Sequence, residues 1–114
     1  MTEGVKTIMY PVTDLAKAKA LYGQLVGVEP YMDEPYYVGF NVEGQDVGLD
    51  PRGHKKGMEG PVAYWHVEDI EKSLKALLDA GAEAQQGVRD VGAGKLIASV
   101  KDADGNVVGL IQPT

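Results

Sequence analysis

Two stretches, VTDLAKAKALYGQLVG (residues 12–27) and VEDIEKSLKALLDAG (residues 67–81), decide how the chain reads. Each opens with Val-x-Asp and an aliphatic residue, runs through an amphipathic segment and stops at glycine. Val12, Asp14 and Lys17 recur as Val67, Asp69 and Lys72, all at an offset of 55 (12 to 67). An aspartate at that place accepts the free N–H groups of a first helical turn and complements the positive end of the helix. Leu15, Ala18, Leu21, Tyr22, Leu25 and Val26 then fall at helical spacing, as do Ile70, Leu74, Leu77 and Leu78. Gly27 and Gly81 stand where a left-handed C-terminal cap belongs. A run of large apolar residues precedes each stretch, TIMYPV (7–12) and VAYWHV (62–67). Each unit is therefore predicted to be a strand running into a helix.

The segments after the two helices also match. Behind the first come Pro30, the aromatic segment YYVGFNV (36–42), the turn EGQ and VGLDP. Behind the second come AEAQQGVRDV, a Gly-rich bend GAG (92–94), KLIASV, the turn DADGN and VVGLIQP. Gly44 to Leu49 aligns with Gly105 to Leu110 at an offset of 61 (44 to 105). Each half reads β-α-β-β-β, which makes the fold α+β. The expected boundaries are a first module over 1–50, a Gly- and Pro-rich linker over 51–61 and a second module over 62–114. Halves of about 50 residues are too small to stand alone, so they should share a sheet or a core. Gly109 interrupts the apolar strand Val107–Ile111, and a glycine there marks close approach by another group.

Composition narrows the function. The chain is 44% hydrophobic and 25% charged, an ordinary globular balance. A net charge of −6 argues against binding a phosphate backbone. With no cysteine there is no disulfide, thiolate nucleophile or thiolate metal ligand. No signal segment or membrane-length apolar run is visible, so a soluble, cytoplasmic protein with neither nucleic-acid nor membrane partners is expected.

This duplication resembles the vicinal oxygen chelate superfamily, which includes glyoxalase I, extradiol dioxygenases, fosfomycin-resistance enzymes and bleomycin-binding proteins. The two Val-x-Asp-aliphatic helix starts, the helix end YGQLVGV (22–28) and the closing DADGN with its last strand carry the resemblance, which covers nearly the whole chain. It implies that the modules fold as half-barrels forming a U-shaped cleft, and that the protein is a homodimer. In the family's metalloenzymes, ligands sit on strands one, four, five and eight, typically His or Gln, Glu, His and Glu. The pattern H-x-x-x-x-V-x-D puts the first on Thr7 and the third on Val62. The pattern D-G-N-x-x-E-L puts the last on Gly109, and the internal offset of 61 (48 to 109) puts the remaining one on Gly48. None of the four supplies an imidazole or a carboxylate. The resemblance therefore implies a family cleft with no metal and no cofactor. Glyoxalase, epimerase and dioxygenase chemistries, which lean on a metal's electrophilic help, are disfavoured.

Strand alternation from Thr7 and Val62 supplies the rest of the lining. Met9 and Pro11, Tyr64 and His66, Asp46 and Asp50, and Val107 and Ile111 should face inward. Ile8, Tyr10, Val12, Ala63, Trp65 and Val67 should face the helices, with Trp65 assigned to core packing. Tyr36, Tyr37 and Phe40 offer aromatic surface either to a ligand or to the core and a subunit interface. The expected ligand-binding set is Met9, Tyr36, Phe40, Asp50, Tyr64, His66 and Ile111. His66 is the candidate acid–base residue, although a histidine beside the Asp69 cap also serves to hold the strand-to-helix turn, and that reading is preferred. His54, with Arg52, Lys55 and Lys56, could meet an anion, but a solvated linker is the preferred account. The leading functional expectation is a metal-free protein binding an apolar or aromatic small molecule for sequestration, resistance or sensing. Against it stand an enzyme (lyase, isomerase or dioxygenase-like), metal-free or with a relocated metal, and an interaction module with a vestigial cleft.

Overall fold

The two aspartates start the two helices by the same device. In a computed structural model describing residues 2–92 and 94–113, Asp14 is extended and its carboxylate accepts the Lys17 backbone N–H at 3.0 Å. Asp69 repeats this for the Lys72 N–H at 3.1 Å. Helix α1 spans Leu15–Val26 and α2 spans Ile70–Asp79. Gly27, at φ 71°, closes α1 in the left-handed conformation. At α2 the capping residue is Ala80, and the left-handed turn falls one residue later on Gly81, at φ 108°.

Among the described residues, eight strands accompany these helices: β1 (Thr2–Pro11), β2 (Met32–Glu34), β3 (Tyr37–Val42), β4 (Gln45–Asp50), β5 (Val62–Val67), β6 (Glu83–Asp90), β7 (Leu96–Lys101) and β8 (Val107–Gln112). The fold is α+β, two tandem βαβββ modules. A short 3₁₀ turn, His54–Lys56, lies in the connecting segment. Of the expected GAG bend, Ala93 lies outside the described residues. No described helix is long and apolar enough to cross a membrane.

The chain forms two compact units, Thr7–Val62 and the remaining residues on either side of it. In the Thr7–Val62 unit the strand order is β2-β3-β4-β1, with β1 parallel to β4 and the other pairs antiparallel. Val38, Phe40 and Leu49 form its buried core, packed by Tyr10, Val12, Leu15, Ala18, Tyr22 and Val26. The Tyr10 and Tyr22 rings meet with centroids 4.9 Å apart. Leu21 and Leu25, expected on the apolar face of α1, are 68% and 78% exposed. At 3.6 residues per turn, Leu15, Ala18, Tyr22 and Val26 make one stripe, with Leu25 just past its Ala18 edge and Leu21 farther round.

In the other unit the order is β5-β8-β7-β6, with β5 parallel to β8. Its core is Val67, Ile70, Ala98 and Leu110, with Leu74 and Leu77 of α2 against it. Gln112 Oε1 accepts the Ile70 N–H at 2.9 Å, tying the start of α2 to the end of β8. The start of β1 belongs here, where Thr2 Oγ1 donates to the His66 carbonyl at 2.8 Å. Trp65, expected in the core, is 40% exposed. It pairs in register with buried Leu110, but the packed cluster is built from Val67 and Ile70 and does not include the indole. The DADGN turn is organised by Asp102, whose carboxylate accepts the backbone N–H groups of Asp104 and Asn106, each at 2.9 Å. Those bonds, with one more from the Asn106 side chain, hold the Asp102 carboxyl below the usual carboxylate range, Asn106 contributing most.

Replacing Asp14 or Asp69 by Ala should each destabilise the protein by about 1 kcal/mol, and Phe40→Ala by about 3–5 kcal/mol. Denaturant titration followed by circular dichroism measures both, and the order of the two effects checks the assignment of caps and core.

Candidate functional site

A row of small and flexible residues crosses the Thr7–Val62 unit on the face turned away from its core. Met9 pairs with Gly48, Gly48 with Gly39, and Gly39 with Met32, and directly paired residues share a face of a sheet. The two glycines leave the backbone bare, and aromatic rings lie over it. A β-carbon on Gly39 would fall 2.8 Å from Cζ and Oη of Tyr31. One on Gly48 would fall 2.9 Å from Tyr37 Cζ and closer still to Tyr37 Oη and Met9 Sδ. Real carbon contacts do not come that near, so each ring requires its glycine.

The hydroxyls on this face are linked. Tyr37 Oη donates to Met9 Sδ at 3.5 Å and is hydrogen-bonded to Tyr31. Burial pushes the Tyr37 hydroxyl well above the usual tyrosine range, helped by Tyr31, Asp46 and Asp50. Tyr31 is raised as well, chiefly by burial and then by Asp46, while its hydrogen bond with Tyr37 opposes the shift. Asp50 is buried at the end of β4. Its Oδ1 accepts the Arg52 N–H and its Oδ2 the Lys56 ammonium, both at 2.8 Å. The carboxylate thus anchors the basic segment next to it in the chain, and Lys56 has an ion-pair partner rather than only solvent.

The other unit shows the same arrangement once. Tyr64 pairs with Gly109, and a β-carbon on Gly109 would lie 2.6 Å from Tyr64 Cδ1 and 2.9 Å from the Ala63 carbonyl oxygen. His66 pairs with buried Ile111 on the same face.

The expected lining residues therefore sort cleanly. Met9 and Asp50 share a face in one unit, and Tyr64, His66 and Ile111 share a face in the other. Phe40 and Tyr36 do not belong with them. Phe40 lies beneath α1, 3.7 Å from where a Gly23 β-carbon would stand, because Val38 and Phe40 alternate toward the core. Tyr36 precedes β3 and is 53% exposed. The residue that does reach the face is Tyr37, joined by Tyr31, which sequence reasoning passes over. Their signal is the pairing of Gly39 with Gly48, which phases β3 and β4 together.

A profile of the Glyoxalase/Bleomycin resistance protein/Dioxygenase superfamily matches residues 4–110. The chain belongs to that superfamily. Several solved structures agree in fold. One described as an NAD-dependent benzaldehyde dehydrogenase from Legionella pneumophila superposes with a TM-score of 0.76 at 15% identity, covering 95% of this chain and 98% of that one. A superfamily member from Vibrio splendidus 12B01 gives 0.71 at 18% identity, over 94% and 97% of the two chains. Methylmalonyl-CoA epimerase from Mycobacterium tuberculosis gives 0.70 at 18% identity, over 99% and 89%. A search of curated protein sequences finds no match.

The superfamily's metal can be tested against the donors this member has. Thr7, Gly48, Val62 and Gly109 carry one hydroxyl among them, and the space a side chain at either glycine would need is taken by Tyr37 and Met9 or by Tyr64. Among the described residues no three of His, Cys, Asp and Glu gather where they could hold an ion. These residues do not fit the metal.

Tyr37 yields a pH prediction. Its folded value lies above the unfolded one of about 10, so the stability it contributes is complete below about pH 10 and is lost as pH rises toward the folded value. Tyr37→Phe should lose less stability than wild type between about pH 10 and 12, and spectrophotometric titration should show one fewer late-ionising tyrosine. Gly109→Ala should destabilise by about 1–3 kcal/mol, with incomplete rescue by Tyr64→Ala because the Ala63 carbonyl also stands in the way. Full rescue in a thermal melt would contradict that packing.

Proposed function

We propose that this superfamily member binds an apolar or aromatic small molecule and that its tyrosine- and methionine-lined sheet face, rather than a metal, supplies the binding surface. The observation that carries this reading is the seating of Tyr37 with Met9 on Gly48, and of Tyr64 on Gly109, at the two positions where the family pattern calls for carboxylates. Rings laid on bare backbone offer a flat surface, and a thioether adapts to the outline of what it meets. The reading extends to a cytoplasmic homodimer that sequesters or senses its ligand, as antibiotic-resistance members do. Exposed Leu21 and Leu25 give such a dimer apolar surface, and a monomer in light scattering at micromolar concentration would remove that part.

An enzyme using His66 or Asp50 as acid or base is the competing reading. Asp50 supports it poorly, since both carboxylate oxygens are already held by Arg52 and Lys56.

In a thermal-shift screen of aromatic and apolar compounds, a ligand at 100 times its Kd should stabilise the protein by about 2.7 kcal/mol. Met9→Ala and Tyr37→Ala should each weaken that ligand roughly tenfold, about 1.4 kcal/mol. A screen without any shift would sink the binding reading. Turnover of a screened compound that disappears in His66→Ala would favour the enzyme.

A further inference from the structure

We propose that Gln85, Gly87 and Arg89, drawn together by two bulges in β6, form a site for the carboxylate group of an apolar or aromatic acid. The site rests on the reading that the sheet face carrying Tyr64 binds a small molecule, and it names the group by which that molecule is held.

The register of β6 makes the site. Glu83 stands opposite Lys101 and Ala84 opposite Val100, but the following pairs are Gln86 with Ser99 and Arg89 with Ile97. Six steps along β6 (83 to 89) thus match four along β7 (101 to 97), so the two register shifts take up two extra residues. In an unbroken ladder Gly87 would face Ile97, and Arg89 would stand opposite Lys95. The bulges draw the arginine two residues inward, off a like charge and into the row Ile97–Ile111–His66. Bulges on an edge strand also discourage pairing with another sheet, but that role asks for no particular side chains. A bulge re-aims side chains as well, and the two re-aimed here are a carboxamide and a guanidinium.

Both groups have protons to give. Gln85, the extra residue of the first shift, reaches Ser99, whose hydroxyl donates to Gln85 Oε1 at 2.7 Å. Ser99 is 5% exposed, so water competes little for that bond, and the carboxamide is held. The hydroxyl's single proton goes to Oε1, which leaves both Nε2 protons of exposed Gln85 for a ligand. Val88 packs toward the core, so alternation turns its exposed neighbour Arg89 to the open face. Among the described residues, no ion pair involves Arg89. Glu83 shares that face but stands opposite Lys101. Asp90 pairs with Leu96 on the core side, and its Oδ1 accepts the Gly92 N–H at 2.7 Å.

Between the two donors the strand carries no side chain. A β-carbon on Gly87 would meet nothing within 4 Å, and its backbone is not left-handed, so neither close approach nor conformation requires a glycine there. What it leaves is an open notch between Gln85 and Arg89. The positions facing these two, Ser99 and Ile97, are about 7 Å apart along β7, so both side chains can converge on one carboxylate, with the planar arginine fork taking its two oxygens. Half-buried Ile97 beside Arg89 and the Tyr64 ring on Gly109 then suit an apolar or aromatic body.

The test titrates biphenyl-4-carboxylate, its uncharged carboxamide and biphenyl against wild type, Arg89→Gln and Gly87→Val. Wild type should bind the acid about 10- to 100-fold more tightly than the amide, the range of hydrogen bonds to a charged group. Arg89→Gln should abolish that preference while leaving biphenyl affinity within about twofold. Gly87→Val should abolish it by filling the notch, with the melting temperature held, since valine suits a strand. The chain has two arginines, Arg52 and Arg89, so NMR of their Nε–H groups reads the site in wild type, whatever the variants do. The acid should move the Arg89 signal and leave that of Arg52 in place. Equal affinity for acid and amide, a preference that survives Arg89→Gln or Gly87→Val, or movement of Arg52 in place of Arg89 would each overturn the carboxylate site while leaving ligand binding intact. Binding by none of the three compounds would overturn this site together with the reading on which it rests.

Discussion

A β-carbon, a phenol ring and a thioether cannot occupy one place. That constraint at Gly48 organises the open face of the Thr7–Val62 unit. With no side chain there, Tyr37 and Met9 can lie against β4, the hydroxyl can reach the sulfur, and burial of the ring then keeps the hydroxyl protonated. Gly39 extends the same bare surface under Tyr31. Glycine in a strand weakens it through entropy and lost packing, so two of them paired across β3 and β4 are tolerable only if something else covers the backbone. The rings provide that cover. Gly109 and Tyr64 solve the same problem once more in the other unit.

The fold is legible in the sequence because its decisive signals are local. An aspartate that caps a helix acts within three residues, and a glycine that ends one acts through its own backbone, so Asp14, Asp69 and Gly27 announce themselves without any tertiary context. Repetition doubles that information. The strand-helix unit at 7–27 and its copy at 62–81 make the βαβββ pattern readable from either half. Gly81 shows the limit of such reading. It is left-handed as expected, yet the helix itself caps on Ala80 one residue earlier.

The lining of the face is only half legible, because phase is a tertiary property. Tyr36 and Tyr37 are adjacent, and composition does not say which turns inward. Alternation anchored on Tyr36 and Phe40 puts the wrong parity on the face and assigns a core residue to the site. The correct phase lies in the glycines: Gly39 opposite Gly48 and Gly48 opposite Met9 can only be a row that something covers. Likewise the amphipathic spacing of α1 names six apolar residues, whereas the sheet beneath accommodates one stripe and leaves Leu21 and Leu25 outside it. Trp65 faces the side its parity predicts but lies beyond the packed cluster, since packing depends on what stands opposite as well as on direction.

A face of glycines roofed by phenol rings can do less to a substrate than one that holds a metal ion. A divalent ion polarises an oxygen strongly and stabilises developing negative charge. A phenol held above its usual range does less. It donates a hydrogen bond, orients a carbonyl and lowers its electron density slightly, but it gives up the proton reluctantly, because proton transfer works best from a group whose pKa lies near the working pH. The negative field of Asp46 pushes the same way, since it would oppose an enolate or any other anion forming nearby. The burial and nearby carboxylates that raise the Tyr31 and Tyr37 hydroxyls therefore make them poor acids and poor stabilisers of anionic intermediates. On such a face, recognition of a neutral molecule and catalysis through an anion make opposite demands on the electrostatics.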